Sequence, residues 1–152
     1  MNELGNNDNF TIRDFREEDY GMIAGLWELL GLGSPERGDT LETIKETLRI
    51  GGRLLVMEEI SSGKICGTSW MTFDGRRILL HHFGIRPEMQ GNGLSKSLLS
   101  ASLRYVKEKG CQAKLEVHTS NYKAINLYKK FGFKHLGDFD VYILRDISRI
   151  QF

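Results

Sequence analysis

The stretch His81–Ser95, HHFGIRPEMQGNGLS, constrains this chain most. An apolar run of Ile78, Leu79, Leu80, Phe83 and Ile85 gives it the composition of a strand. Pro87 has no N–H to give to a ladder, so the strand must stop there. After Gln90-Gly91-Asn92-Gly93-Leu94-Ser95, the residues Leu94, Leu98, Leu99, Leu103 and Val106 recur at helical steps. Glycines at the start of a helix leave several N–H groups pointing outward with no side chain in front of them. That is an anion site, and phosphate or pyrophosphate suits it best. On its own the pattern is equally an ordinary strand-to-helix turn. It is neither the dinucleotide fingerprint nor a P-loop, since no Lys-Ser/Thr follows the second glycine.

The other segments give the turn a setting. Residues 10–15 alternate as a first strand, and Arg16-Glu17-Glu18-Asp19 opens a helix with acids in its first turn. Ile23, Leu26, Trp27 and Leu30 form that helix's apolar face, and Gly31-Leu32-Gly33-Ser34-Pro35 ends it. A second helix is expected over 40–50, after a loop holding Arg37 and Asp39 that could line a substrate pocket but reads more readily as a plain connection. Three strands follow, over 53–60, 65–73 and 76–85, joined by turns at Ser61–Lys64 and Asp74-Gly75. The helix after the glycine turn should reach Lys109 and end at Gly110. A strand is expected over 111–118. Ser120 or Asn121 then caps a helix with the apolar face Ala124, Ile125, Leu127, Tyr128 and Phe131. Residues 133–136 and 139–144 read as two closing strands around Gly137-Asp138. The order β α α β β β α β α β β predicts a mixed α/β (α+β) sheet flanked by helices.

At 152 residues the chain fits one domain, 1–152, with a full core. Its net charge of +1 gives no argument for a nucleic acid or a membrane surface, and no apolar run is long enough to span a bilayer. Cys66 and Cys111 stand far apart without metal spacing, so reduced thiols in a cytoplasmic protein are expected, with no metal. The polar start MNELGNNDNF lacks the order of a signal peptide and reads as a short flexible lead-in.

A second motif is more specific. In LEVHTSNYKAINLYKKFGF, Asn121 precedes Ala124, then Leu127-Tyr128, then Phe131-Gly132-Phe133. Together with Pro87, Gln90, Gly91 and Gly93, this closely resembles the GNAT superfamily of acyl-CoA-dependent N-acetyltransferases, over essentially the whole chain. The run Leu115-Glu116-Val117 followed by Ser120-Asn121 is similar to the branch that acetylates ribosomal-protein N-termini.

The resemblance implies a mostly antiparallel sheet splayed between its fourth and fifth strands, with acetyl-CoA bound across the opening. Gln90, Gly91, Asn92, Gly93, Leu94 and Ser95 would hold the pyrophosphate; Ser95 stands where the family has Gly or Ala, and Gln90 where it often has Arg. Phe83, Gly84 and Ile85 would pair with the pantetheine arm, and amides near Ile85 would hold the developing oxyanion. Asn121 would bond the pantetheine or cap its own helix. Tyr128 would give a proton to the departing thiolate, although on periodicity alone it is a core tyrosine. Glu116 would be the base, in competition with His81, His82, His118 and a water chain. His81 and His82 should point to opposite faces of their strand, so that at most one faces the acyl site.

The substrate is then a primary amine, either a protein N-terminus or a small molecule. Two other readings stand beside an acetyltransferase: a non-catalytic acyl-CoA-binding or sensing module on the same fold, and an unrelated nucleotide-binding protein. Residues 139–152 could supply a homodimer interface.

Overall fold

The computed structural model describes residues 8–152, and the expected lead-in lies outside them up to residue 7. Contacts divide the chain into two compact units, one ending at Glu116 and one formed by Val117–Phe152.

The first unit is built on a five-stranded sheet in sequence order. Its strands are β1 (Phe10–Asp14), β2 (Arg53–Glu59), β3 (Ile65–Phe73), β4 (Arg77–Ile85) and β5 (Gln112–Leu115). The first four pair antiparallel, and β5 lies parallel to β4. That ladder runs only from Arg77↔Gln112 to Leu80↔Leu115, while β4 continues to Ile85. The sheet therefore opens between β4 and β5 after Leu80, as a splayed sheet should. β5 is shorter than the expected 111–118, which leaves Glu116 just past its end.

Helices cover both faces. The first helix, α1 (Tyr20–Leu30), starts later than expected, because Glu17–Asp19 form a separate 3-10 turn. Asp19 is buried there and accepts two bonds from the Arg13 guanidinium, at 2.8 and 2.9 Å, and one from the Arg16 amide. Burial pushes the Asp19 carboxyl up, but the Arg13 bonds, the Arg16 amide and the charges of both arginines together outweigh it and hold the carboxyl below its usual range. The next helix, α2 (Leu41–Arg49), is capped by the Thr40 hydroxyl, which accepts from the Thr43 amide. On this face Trp27, Ile23, Leu26 and Ile44 pack against Leu54, Val56, Ile65 and Trp70. Helix α3 (Leu94–Lys109) covers the other face, where Ser102 donates to Ser69 of β3 at 2.7 Å.

The second unit holds α4 (Tyr122–Lys130), followed by a chain without strands. The two closing strands expected over 133–136 and 139–144 are absent. Strand composition supplies propensity, but a strand exists only where its backbone finds a ladder. Here Phe139, Val141, Tyr142, Ile143 and Leu144 are all exposed.

Candidate active site

Pro87–Met89 form one 3-10 turn after β4, Gln90 is extended, and Gly91 and Gly93 take left-handed conformations with φ of 86° and 73°. A side chain at either glycine would be strained. A Cβ built there would meet nothing within 4 Å, so the space in front of the turn is open. The Gln90 side chain folds back and donates to the Ile85 carbonyl at 2.9 Å, which ties the turn to the end of β4. The start of α3 has no side-chain cap and no acid in its first turn; it carries Lys96 instead. A cation there opposes the helix dipole, whereas an anion in front of the uncapped amides would complement both.

At His82 the structure overturns the expected alternation. Thr68 pairs with Gly84 and Trp70 with His81, so His82 and Phe83 together oppose Ser69. This is a β-bulge, and His82 takes it up with φ at +45°. The extra residue turns His82 onto the face that His81 already occupies. The two rings meet with Nδ1 atoms 2.7 Å apart. Trp70 packs against both imidazoles and Trp27 against His82, and the two indoles stack at 5.4 Å. Thr68 locks the bulge: its hydroxyl accepts from Trp27 Nε1 at 2.9 Å and donates to the His82 carbonyl at 2.6 Å.

Asp39 completes this cluster, although its loop reads as a plain connection in the sequence. Its Oδ1 lies 3.1 Å from His82 Nε2, off the line of a good hydrogen bond, and its Oδ2 accepts from the Ser34 amide at 2.9 Å. Gly33 makes the approach possible, since a Cβ there would stand 2.0 Å from Asp39 Oδ2 and 2.5 Å from His82 Nε2. Burial, and then the neighbouring His82, push His81 down to about 4 against a weaker pull from Asp39. Burial also lowers His82, and Asp39 opposes it.

Glu116 is exposed and lies beside a different feature, an open cavity of about 340 Å³ that Thr72, Leu79 and Lys114 also line. Among the described residues Glu116 forms no ion pair with Lys114. A larger depression of about 640 Å³, lined by Arg76, Arg77 and Lys107, lies at the end of β4 away from the glycine turn. His118 is exposed, with Nδ1 2.7 Å from the Ser120 hydroxyl.

In the second unit the Asn121 side chain caps α4 by accepting from the Ala124 amide at 3.3 Å. One turn on, Tyr128 is buried and packs edge-on against Phe133, with ring centres 5.7 Å apart. Burial pushes its phenol up to about 12, so it holds its proton at neutral pH. Among the described residues no group of three His, Cys, Asp or Glu side chains could hold a metal ion. No helix among them is long and apolar enough to cross a membrane.

Comparison with known proteins agrees with this architecture. A Trypanosoma brucei acetyltransferase superimposes with a TM-score of 0.72 at 24% identity, over 89% of this chain and 99% of its own. The structure of AAC(6')-Iy with a CoA-containing bisubstrate analogue matches at 0.70 and 18% identity, over 90% and 99% of the two chains. Glucosamine-6-phosphate N-acetyltransferase from Arabidopsis thaliana matches at 0.67 and 23%, over 90% and 99%. At such identities the likeness is one of fold. The sequence itself matches the model of the acetyltransferase (GNAT) family over residues 13–133, from β1 past α4, and the chain belongs to that family.

Proposed function

We propose that the chain is an N-acetyltransferase, a single catalytic domain that moves the acetyl group of acetyl-CoA to a primary amine by direct attack. The observation that carries this reading is the uncapped start of α3 behind the Gly91–Gly93 turn, with open space at both α-carbons and Lys96 in the first turn. These residues fit a pyrophosphate. Gln90, Gly91, Asn92, Gly93, Leu94 and Ser95 would hold it with backbone amides. When bound, acetyl-CoA supplies an acyl group activated as a thioester. Phe83, Gly84 and Ile85 lie on the part of β4 that β5 leaves, where an extended arm can add as a strand does. Asn121 sets the start of α4, and Tyr128 on that helix is proposed to protonate the departing sulfur. Glu116, the base that the resemblance implies, stands exposed at the end of β5, and His81 competes with it for the substrate proton.

AAC(6')-Iy is described as an aminoglycoside N-acetyltransferase, and the Arabidopsis enzyme is named for glucosamine-6-phosphate. Both names support a small amine. A protein N-terminus rests on the Leu115–Asn121 pattern alone. A cytoplasmic setting is part of the proposal and is supported by the free thiols of Cys66 and Cys111. A homodimer through the apolar segment after Gly137 is also part of it.

Thermal unfolding with acetyl-CoA, and with ATP as control, tests the cofactor. A rise with acetyl-CoA alone supports the reading; no rise, or an equal one with ATP, sinks it. Turnover then separates an enzyme from a binding module. Tyr128→Phe should lower kcat at least about ten-fold and leave acetyl-CoA affinity unchanged. Acetyl-CoA binding with no CoA release on any amine would favour the module.

A further inference from the structure

We propose that Asp39, His82 and His81 form a proton relay in which Nε2 of His81 accepts the proton of the amine substrate. The inference rests on the acetyltransferase reading for its substrate, but its geometry stands on its own.

The contacts dictate the tautomers. A carboxylate only accepts, so the Asp39 charge 3.1 Å away favours the tautomer of His82 with its N–H on Nε2, although the pair lies off the line of a good hydrogen bond. A neutral imidazole then has a lone pair on Nδ1. His81 Nδ1 is 2.7 Å from it and must therefore be the donor. That leaves the lone pair of His81 on Nε2, which is buried and has no hydrogen-bond partner among the described residues. A buried acceptor left unpaired is costly, and such costs are kept where a ligand or a reaction uses the atom.

The cluster is also a built one. A bulge with a left-handed histidine, the Thr68 lock, two tryptophans and the absent side chain of Gly33 all serve to bring these three groups together. A histidine held at positive φ is strained, and strain of this kind collects at functional sites. His81 is the first residue of β4 past the end of the β5 ladder, so the acceptor stands where the sheet opens.

The step balances simply. An N–H bond of the substrate ammonium breaks, a new N–H bond forms on His81 Nε2, and the nitrogen keeps its electron pair for attack on the thioester. The His81 imidazolium passes its Nδ1 proton toward His82, and the carboxylate of Asp39 stabilises the added charge. The proton leaves to solvent after the product. The ionisable groups that bear on the two rings are each other and Asp39. His81 is unprotonated at pH 7; at about 4 it holds a proton weakly, so it takes one only in passing and gives it up along the relay.

The first test is nitrogen NMR of the full chain labelled at histidine, with its four His resolved by single His→Gln variants. His81 should be protonated at Nδ1 and His82 at Nε2 at pH 7, and Asp39→Asn should abolish that preference. The same tautomer on both rings, or no response to Asp39→Asn, overturns the relay. The second test is kinetic, with acetyl-CoA and a panel of an aminoglycoside, glucosamine-6-phosphate and a peptide N-terminus. His81→Gln should lower kcat about 100-fold at neutral pH with the KM for acetyl-CoA unchanged. The deficit should shrink above the pKa of the amine, where the substrate arrives already deprotonated; a merely structural loss would not recover there. Glu116→Gln should leave the acidic limb of the pH–rate profile in place. Turnover that survives in His81→Gln, or an acidic limb displaced in Glu116→Gln, overturns the relay and leaves the transferase standing. Absence of turnover and of an acetyl-CoA thermal shift sinks the transferase, and overturns with it the assignment of His81 as base.

Discussion

At the scale of the residue, His82 decides most. An imidazole facing the opposite side would leave His81 alone beside Trp70; the bulge instead gives it a partner and, through Asp39, a carboxylate. This has a consequence for stability. Both imidazoles are held below the usual 6.5, and His81 is at about 4. Between those values the unfolded chain binds protons that the folded chain refuses, so acidification favours unfolding. The contribution is complete above pH 6.5 and is lost as pH falls toward 4. For His81 alone the loss is on the order of 2 to 3 kcal/mol. Urea midpoints at pH 7.5 and 4.5 should therefore converge in His81→Gln relative to the parent chain. Equal pH dependence in both proteins would show that His81 titrates freely. His81 and His82 stand as candidate bases in the sequence, but their meeting on one face was not legible there. Positive φ at a histidine runs against local propensity, and the meeting of Asp39 with His82 depends on a loop whose course the residues do not state.

At the scale of the element, the glycine turn and α3 form one device. Pro87 ends the strand, Gly91 and Gly93 turn the chain, and the helix starts without a cap. Gly93→Asp would put a strained Cβ and a carboxylate in front of the amides that should receive phosphate. Acetyl-CoA affinity should fall by at least about ten-fold, as calorimetric titration would read it, since one carboxylate replaces a helix-terminus contact and adds like-charge repulsion. Unchanged affinity would remove the phosphate from this turn. This part of the site was legible, because strand, proline, glycines and helix are local features with a mechanism each. The sheet was legible to β4 for the same reason: alternation and turn residues set β1 to β4 and their hairpins. The last two strands were misread, since alternation at Phe139–Leu144 signals a strand without naming its partner. Tyr128 and Asn121 came from the motif and not from periodicity, which alone reads Tyr128 as core.

At the scale of the whole molecule, that unpaired segment asks for a partner. Phe139 is 77% exposed and Tyr142 90%, in a stretch with no ladder of its own. An apolar, unpaired strand sequence is an association hazard unless something covers it. A second copy would fit by charge. If two segments lie antiparallel about the Tyr142–Ile143 peptide, Val141 faces Leu144 and Asp140 faces Arg145, on both sides of the two-fold axis. Light scattering at micromolar concentration should then give about 35 kDa, twice the 17.4 kDa of one chain. Asp140→Arg sets like charges opposite each other and should shift the mass toward the monomer. Adding Arg145→Asp reverses the pair and should restore the dimer, which a general loss of apolar contact would not do. A monomeric parent chain, or a double variant no better than the single one, would leave this segment to some other partner.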